Sequence, residues 1–335
     1  MQICIAGAGA IGCTLAARLA SSNEATSGTR VNVLARGQNL AAIQANGIAL
    51  TDLDGDHHVK VNASDDAEAL GPQDLILVCT KAPALPAILS QIQPMLHEST
   101  IVIPVVNGIP WWYFQGLPGR FEGQRIQAID PQGQLDELVP AKHLIGAVVF
   151  ITATRSEPGK VQSNNPHLMI MGEINHQNSA RLECIRKVIE LAGIEARATD
   201  NIRDQIWTKV AANLTSNPLS VVSGATLEQI YSDPNLRPLV RDVLNETLAT
   251  AASHGARIRF DPETIMEMGA GMGAVKTSML QDYEAQAPLE LANIGHAMIE
   301  MAERTGVPMP MTKHLLGLAQ FLSQQQQEAK QQQNS

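Results

Sequence analysis

Lys209, Asn213 and Asn217 stand four residues apart in the stretch Trp207-Thr208-Lys209-Val210-Ala211-Ala212-Asn213-Leu214-Thr215-Ser216-Asn217-Pro218. On an α-helix each such step advances about 40° around the axis and about 6 Å along it, so the three side chains form one polar ridge two turns long. The ridge offers one charged donor and two amides that both donate and accept hydrogen bonds. Val210, Ala211, Ala212 and Leu214 flank it, so much of the helix is expected to be buried. A buried amine needs a compensating reason. Pro218 cannot donate to the Leu214 carbonyl and biases Asn217 away from helical dihedrals, so the ridge is expected to end at a kink with a loose carbonyl. On spacing alone, a solvated polar face accounts for the same pattern.

A second group of residues has the chemistry to hold phosphate. The apolar strand Gln2-Ile3-Cys4-Ile5-Ala6 runs into Gly7-Ala8-Gly9-Ala10-Ile11-Gly12 and then into the helical pattern Cys13 to Leu19. The motif is weak alone, but here a strand precedes it and a helix follows it. Gly7 permits the tight turn, Gly9 lets backbone approach a pyrophosphate, and Gly12 lets helix and strand pack closely. Ala8, Ala10 and Ile11 complete the loop, and the helix N-terminus turns its N–H groups toward the phosphates. The next strand, Val31 to Ala35, ends at Arg36 with no acidic residue. An acid at this position serves a ribose 2′-hydroxyl, whereas a guanidinium pairs with a 2′-phosphate. The cofactor read from these residues is therefore NADP, against the alternative of an ordinary surface arginine. Lys81 follows the buried strand Asp74 to Cys79 and is a candidate second cation for that phosphate; a surface lysine is the other reading. Asn107-Gly108 follows the strand Ile101 to Val106, which places Asn107 near the nicotinamide side of the crevice at the strand ends. Trp111-Trp112-Tyr113-Phe114 could wall a substrate pocket or plug a core.

These residues need elements to position them. A chain of 335 residues with 44% hydrophobic and 3% aromatic residues can bury aliphatic cores in two domains. The net charge of −9 argues against nucleic-acid and membrane-surface partners. Cys4, Cys13, Cys79 and Cys184 show neither metal nor redox spacing and read as free thiols in a reducing cytosol. The N-terminus reads as a strand rather than a signal peptide, and no apolar run is long enough to span a bilayer. Ser21 to Arg30 reads as a polar loop, residues 48–63 as a hairpin turning at Asp54-Gly55, and 115–142 as a surface excursion with little core. His57 and His58 are expected on opposite faces of a strand, so no shared metal is expected. After a short strand near Ile194 to Ala198 the pattern becomes helical: 201–222, helices opened by Asp233-Pro234 and Asp261-Pro262, then 286–305 and 310–323. The fold class is α/β, with an N-terminal Rossmann-like dinucleotide-binding domain over 1–200 and an all-helical domain over 201–323. The Gln-rich tail 324–335 is expected to be disordered.

Ser278-Met279-Leu280-Gln281-Asp282 follows a glycine-rich link, Gly269 to Gly273, and Glu290 lies beyond it. Separately, Ser278 reads as an N-cap and Glu290 as a solvated helix residue. In order along the chain, however, GAGAIG, Lys81, Asn107-Gly108, Lys209…Asn213…Asn217-Pro218 and Ser278-Met-Leu-Gln-Asp…Glu290 resemble the ketopantoate reductase (2-dehydropantoate 2-reductase) family. The resemblance runs from residue 1 to about 320. It implies an NADPH-dependent cytoplasmic oxidoreductase with a small 2-oxo acid as substrate, no metal, and a homodimer left open. It also implies roles. Lys209 resembles the general acid that protonates the ketone oxygen, and Asn213 a hydrogen-bond donor to that oxygen. Asn217 and Ser278 resemble the groups that hold the substrate's hydroxyl and carboxylate ends. Glu290 resembles the contact to the nicotinamide half of the cofactor, Arg36 and Lys81 the 2′-phosphate clamp, and Asn107 a contact to cofactor and substrate. The chain departs from the family at Leu227, where a further substrate-binding asparagine is common, and in the aromatic run Trp111 to Phe114. Two alternatives remain open: a reductase of another branched 2-oxo acid, and a non-catalytic NADP-binding regulator, which would need no proton donor.

Overall fold

The computed structural model describes residues 1–22 and 28–333. Residues 23–27 of the expected polar loop, and the last two residues of the Gln-rich tail, lie outside the described residues. The chain divides into two compact units: Met1–Val106, Trp112–Arg125 and Gly133–Ile202 in the first, and Asn107–Trp111, Ile126–Gln132 and Arg203–Ser335 in the second.

The first unit is built on a five-stranded parallel sheet. Its order is Asn62–Ser64, Arg30–Leu34, Gln2–Ala6, Leu75–Val78, Ile101–Pro104. Leu75–Val78 and Ile101–Pro104 are near-continuous runs of Ile, Leu and Val, buried at every position, because both faces of the sheet are covered there. All strands point the same way, with Ala6 paired to both Leu34 and Val78. The segments leaving these three strands therefore emerge along one edge. That edge carries the glycine turn, Arg36 and Lys81.

The expected hairpin forms, pairing Ile48–Asp52 with Gly55–Val59. It belongs to a second sheet in which Ile48–Asp52 also pairs in parallel with Lys160–Ser163, itself paired to Ala153–Glu157. This sheet packs on the helix Ala10–Ser21. Arg18 of that helix is buried and forms ion pairs with Asp52 at 2.8 Å and Asp54 at 2.6 Å. His57 reaches Asp52, whereas His58 turns to the Asn46 carbonyl. A third sheet, Glu195–Ala198, Leu168–Glu173, Ile145–Phe150, continues from the first through a bridge between Val102 and Leu144. Trp112, Tyr113 and Phe114 are buried in this unit, and Trp112 lies against Gly146, where a Cβ would come 2.6 Å from the indole. The excursion is not empty of core, since Leu135 and Val139 are buried.

From Ile202 onward the described residues are built into helices: Ile202–Ser223, Leu227–Ser232, Arg237–Ser253, Pro262–Ala270, Ser278–Glu284, a π-helix at Ala292–His296 continuing as Ala297–Thr305, and Pro310–Gln333. Four details differ from the sequence reading. The short helix Leu227–Ser232 precedes Asp233, closed into its own start by a Thr226–Gln229 capping box. Asp233-Pro234 opens a turn, and the helix begins at Arg237. Residues 287–290 are not helical. Finally, the Gln-rich segment expected to be disordered continues the last helix to Gln333. It contains neither glycine nor proline, glutamine is a fair helix former, and Leu315, Leu316 and Ala319 anchor the preceding turns. Among the described residues, no helix is long and apolar enough to cross a membrane.

Candidate active site

In the first unit, the three glycines of the turn are glycine for different reasons. Gly7 has φ +113°, and a Cβ there would lie 2.8 Å from Thr80 and 2.9 Å from the Cys79 carbonyl. A Cβ at Gly12 would lie 1.9 Å from the Gly7 carbonyl oxygen, so helix and turn close only without a side chain. At Gly9 the protein imposes neither constraint: φ is −76°, and the nearest atom to a Cβ is 3.9 Å away. The chain's own packing therefore does not require glycine at this position. Gly9 is also the N-cap, with no side-chain cap and no acidic residue in the first turn. The first intrahelical bond runs from the Cys13 amide to the Gly9 carbonyl, so the N–H groups of Ala10, Ile11 and Gly12 precede the helix's own ladder. Such an end suits an anion. Asn39 donates to the Ala8 carbonyl at 2.9 Å and braces the loop from the following helix. Arg36 is exposed at the N-cap of that helix, and Lys81 is exposed past the end of Leu75–Val78. This is a donor set that fits the phosphates of a dinucleotide.

In the second unit, the ridge is helical as its spacing requires. Trp207, Val210, Ala211 and Leu214 are buried and fix its orientation, while Ala212 is exposed rather than part of the apolar flank. The ridge helix does not end at Pro218: it runs on to Ser223, with Asn217 still helical. Hydroxyls on either side of the proline bond nearby backbone carbonyls. Thr215 donates to the Ala211 carbonyl at 2.8 Å, Ser216 to Ala212 at 2.7 Å and Ser220 to Asn217 at 2.7 Å.

Lys209 and Asn213 are partly buried and Asn217 is 3% exposed. The Lys209 pKa is pushed down to about 8, because burial disfavours the charged ammonium while the Glu290 carboxylate acts in the opposite direction. Asn217 accepts a long hydrogen bond from Ser216 at 3.4 Å, but its buried Nδ2 donates to no described residue. A buried amide donor without a partner is costly unless a ligand completes it.

Glu290 precedes the π-helix, a form often found at functional sites. Its Oε2 lies 3.5 Å from Asn107 Nδ2, so the structure brings Lys209, Glu290 and Asn107 into one cluster. Asn107 is held by its neighbours. Asn293 donates to the Ile109 carbonyl at 3.2 Å and accepts from the Ile109 amide at 2.9 Å through its own carbonyl. Gly108 has φ +85°, and a Cβ there would meet the Asn293 carbonyl at 2.4 Å. Ser278 is exposed at the first position of its helix, and Thr277, not Ser278, is the N-cap. Asn39, Thr277 and Asn293 were missed by sequence reasoning. Only Thr277 carried a local signal, a threonine directly before a helical pattern.

Comparisons with known proteins bear on the family of the chain. Residues 3–176 match the family profile of ketopantoate reductase PanE/ApbA, and residues 201–323 match that of the ketopantoate reductase PanE/ApbA C terminal. A 2-dehydropantoate 2-reductase of Mesorhizobium japonicum is 36% identical over 323 residues, covering 96% of this chain and 98% of the relative. Among solved structures, a candidate ketopantoate reductase of Ralstonia solanacearum MolK2 superposes with a TM-score of 0.91 at 38% identity, over 97% of this chain and 98% of the other. The 2-dehydropantoate 2-reductase of Geobacter metallireducens GS-15 gives 0.83 at 28% identity, over 96% and 99%. The chain belongs to the ketopantoate reductase PanE/ApbA family and is a nicotinamide-dependent oxidoreductase.

Proposed function

We propose that the chain reduces the ketone of 2-dehydropantoate to D-pantoate, the hydroxy-acid step of pantothenate synthesis, with NADPH as reductant and Lys209 as general acid. The observation that carries this reading is the Lys209 ammonium, held near pKa 8 on a ridge whose Asn217 donor is buried without a partner. The relatives with matching names support the substrate. NADPH, when bound, supplies a hydride to the carbonyl carbon. The amides of Gly9 to Gly12 hold its pyrophosphate, Arg36 and Lys81 hold the 2′-phosphate, and Glu290 with Asn107 hold the nicotinamide half. Lys209 stabilises the charge that develops on the ketone oxygen and gives it a proton. Asn213 donates to the same oxygen. Asn217 and Ser278 hold the hydroxyl and carboxylate ends of the acid.

A second reading, another branched 2-oxo acid as substrate, is favoured by one residue. Leu227 begins the helix Leu227–Ser232, and its amide donates to the Val275 carbonyl at 2.9 Å, three residues before Ser278. A leucine at this place offers no side-chain hydrogen bond. A missing partner for a buried hydroxyl costs about 1–3 kcal/mol, one to two powers of ten in kcat/KM. NADPH oxidation with a panel of 2-oxo acids, in wild type and Leu227→Asn, separates the readings. The proposed function requires ketopantoate to lead the panel. The second reading requires the acid lacking the hydroxyl to equal it, with Leu227→Asn restoring preference for ketopantoate.

A further inference from the structure

The helix bearing the ridge and the helix bearing Ser278 are joined by a pair of buried hydroxyls. Ser220 Oγ donates to the Asn217 carbonyl at 2.7 Å and lies 2.6 Å from Thr277 Oγ1. Thr277 Oγ1 in turn accepts from the Leu280 amide at 3.1 Å, capping the helix Ser278–Glu284. Ser220 is 0% exposed and Thr277 5% exposed. A continuous chain of short contacts thus runs from the backbone of Asn217 to the first turn that presents Ser278. Nothing in helix formation asks for it: the Thr277 cap is complete through Leu280 without Ser220. The link falls two residues beyond Pro218, which has no backbone N–H to donate.

We propose that Ser220 and Thr277 are positioning residues: their hydroxyl pair fixes the separation between Asn217 and Ser278, and through it the fit of the 2-oxo acid. This rests on the reading of Asn217 and Ser278 as substrate ligands. The pair touches neither the reacting ketone nor the cofactor-binding turn, so it acts on substrate affinity alone. A three- to tenfold rise in KM from misplacement of one ligand is about 0.7–1.4 kcal/mol, within what one buried neutral hydrogen bond contributes.

The test uses the full-length enzyme with NADPH and ketopantoate. Ser220→Ala breaks the link and leaves the Thr277 cap in place. Thr277→Ser keeps both. Ser278→Ala removes the ligand itself. Expected are a three- to tenfold higher KM for Ser220→Ala with kcat and the NADPH dissociation constant unchanged, normal KM for Thr277→Ser, and no further KM rise when Ser220→Ala is added to Ser278→Ala. An unchanged KM in Ser220→Ala beside a raised KM in Ser278→Ala overturns the inference and spares the substrate reading. Additive effects of the two substitutions also overturn it, because Ser220 then does not act through Ser278. So does a fall in melting temperature accompanied by equal losses in kcat and NADPH affinity, which marks a structural role only. An unchanged KM in Ser278→Ala overturns the substrate reading of Ser278, and the positioning inference with it.

Discussion

Lys209 shows what a single residue can do when its surroundings oppose each other. Burial lowers its pKa and the Glu290 carboxylate raises it, leaving a value of about 8. A group acting as proton donor must be protonated when the reaction begins. In the direction of ketone reduction, kcat/KM should therefore be flat below the pKa and fall tenfold per pH unit well above about pH 8. In the reverse direction, oxidation of the hydroxy acid, the neutral amine is the base, and the rate should rise through the same pKa. Lys209→Ala should lower kcat by about 10²–10⁴-fold at pH 7 and leave NADPH binding intact. Glu290→Gln removes the negative charge that favours the ammonium, so the falling limb of reduction should move to lower pH. Initial rates in both directions between pH 6 and 10 check all of this. A profile for reduction that stays level to pH 10 removes Lys209 as the donor.

At the scale of elements, the glycine turn separates packing from binding. Gly12→Ala forces a Cβ into the Gly7 carbonyl at 1.9 Å, so the helix Ala10–Ser21 must shift and the protein should lose stability. Gly9→Ala meets open space and an ordinary φ, so the melting temperature should stay within a few degrees. Its methyl instead stands where backbone is to approach the pyrophosphate, and the NADPH dissociation constant should rise at least tenfold. Thermal unfolding and NADPH fluorescence titration read the two effects apart; a Gly9→Ala enzyme that binds NADPH normally would show that the turn does not hold the phosphates. The same distinction explains what was legible in the sequence. The turn, the polar ridge and the parallel strands are local patterns, written in consecutive residues with a fixed period. Asn39 bracing Ala8, and Asn293 clasping Ile109, are not local: their partners lie 31 and 184 residues away. Pro218 misled for the opposite reason. Its local rule predicts that the ridge ends at a kink there, but the helix continues to Ser223 with Trp207, Val210, Ala211 and Leu214 buried along it. Propensity is overruled by packing wherever both faces of a helix are committed.

Across the whole chain, the residues assigned to phosphate lie in the first unit and those assigned to substrate and proton transfer lie in the second. The second family profile, over residues 201–323, covers Lys209, Asn213, Asn217, Ser278 and Glu290, while Asn107 of the second unit falls within the first, over 3–176. The end of the last helix has no part in either set. Pro310–Gln333 is anchored at its beginning, where Glu246 accepts from the Met311 and Thr312 amides at 2.9 Å, and where Leu315, Leu316 and Ala319 are buried. Ser323 is the last buried side chain among the described residues, and beyond it only Gln326 is even partly covered. The remaining contacts are peripheral: Lys330 reaches the Gln286 carbonyl at 3.5 Å, across a shallow cavity of about 440 Å³ lined by Gln286, Pro288, Gln327, Lys330 and Gln331. Exposed turns of this kind are held by intrinsic propensity, which contributes a few tenths of a kcal/mol per residue at most, and they fray. Deleting residues 326–335 should therefore remove helical signal in far-ultraviolet circular dichroism, change unfolding free energy by less than about 1 kcal/mol, and leave kcat and both KM values unaltered. Cutting the chain before Leu315 removes the buried side chains of Leu315, Leu316, Ala319 and Ser323 and should cost several kcal/mol, even though the Met311 and Thr312 amides that donate to Glu246 are kept. Urea unfolding of the two truncations, with activity measured on each, checks the contrast. A loss of substrate affinity in the shorter deletion would mean that the Gln-rich turns contribute to the site.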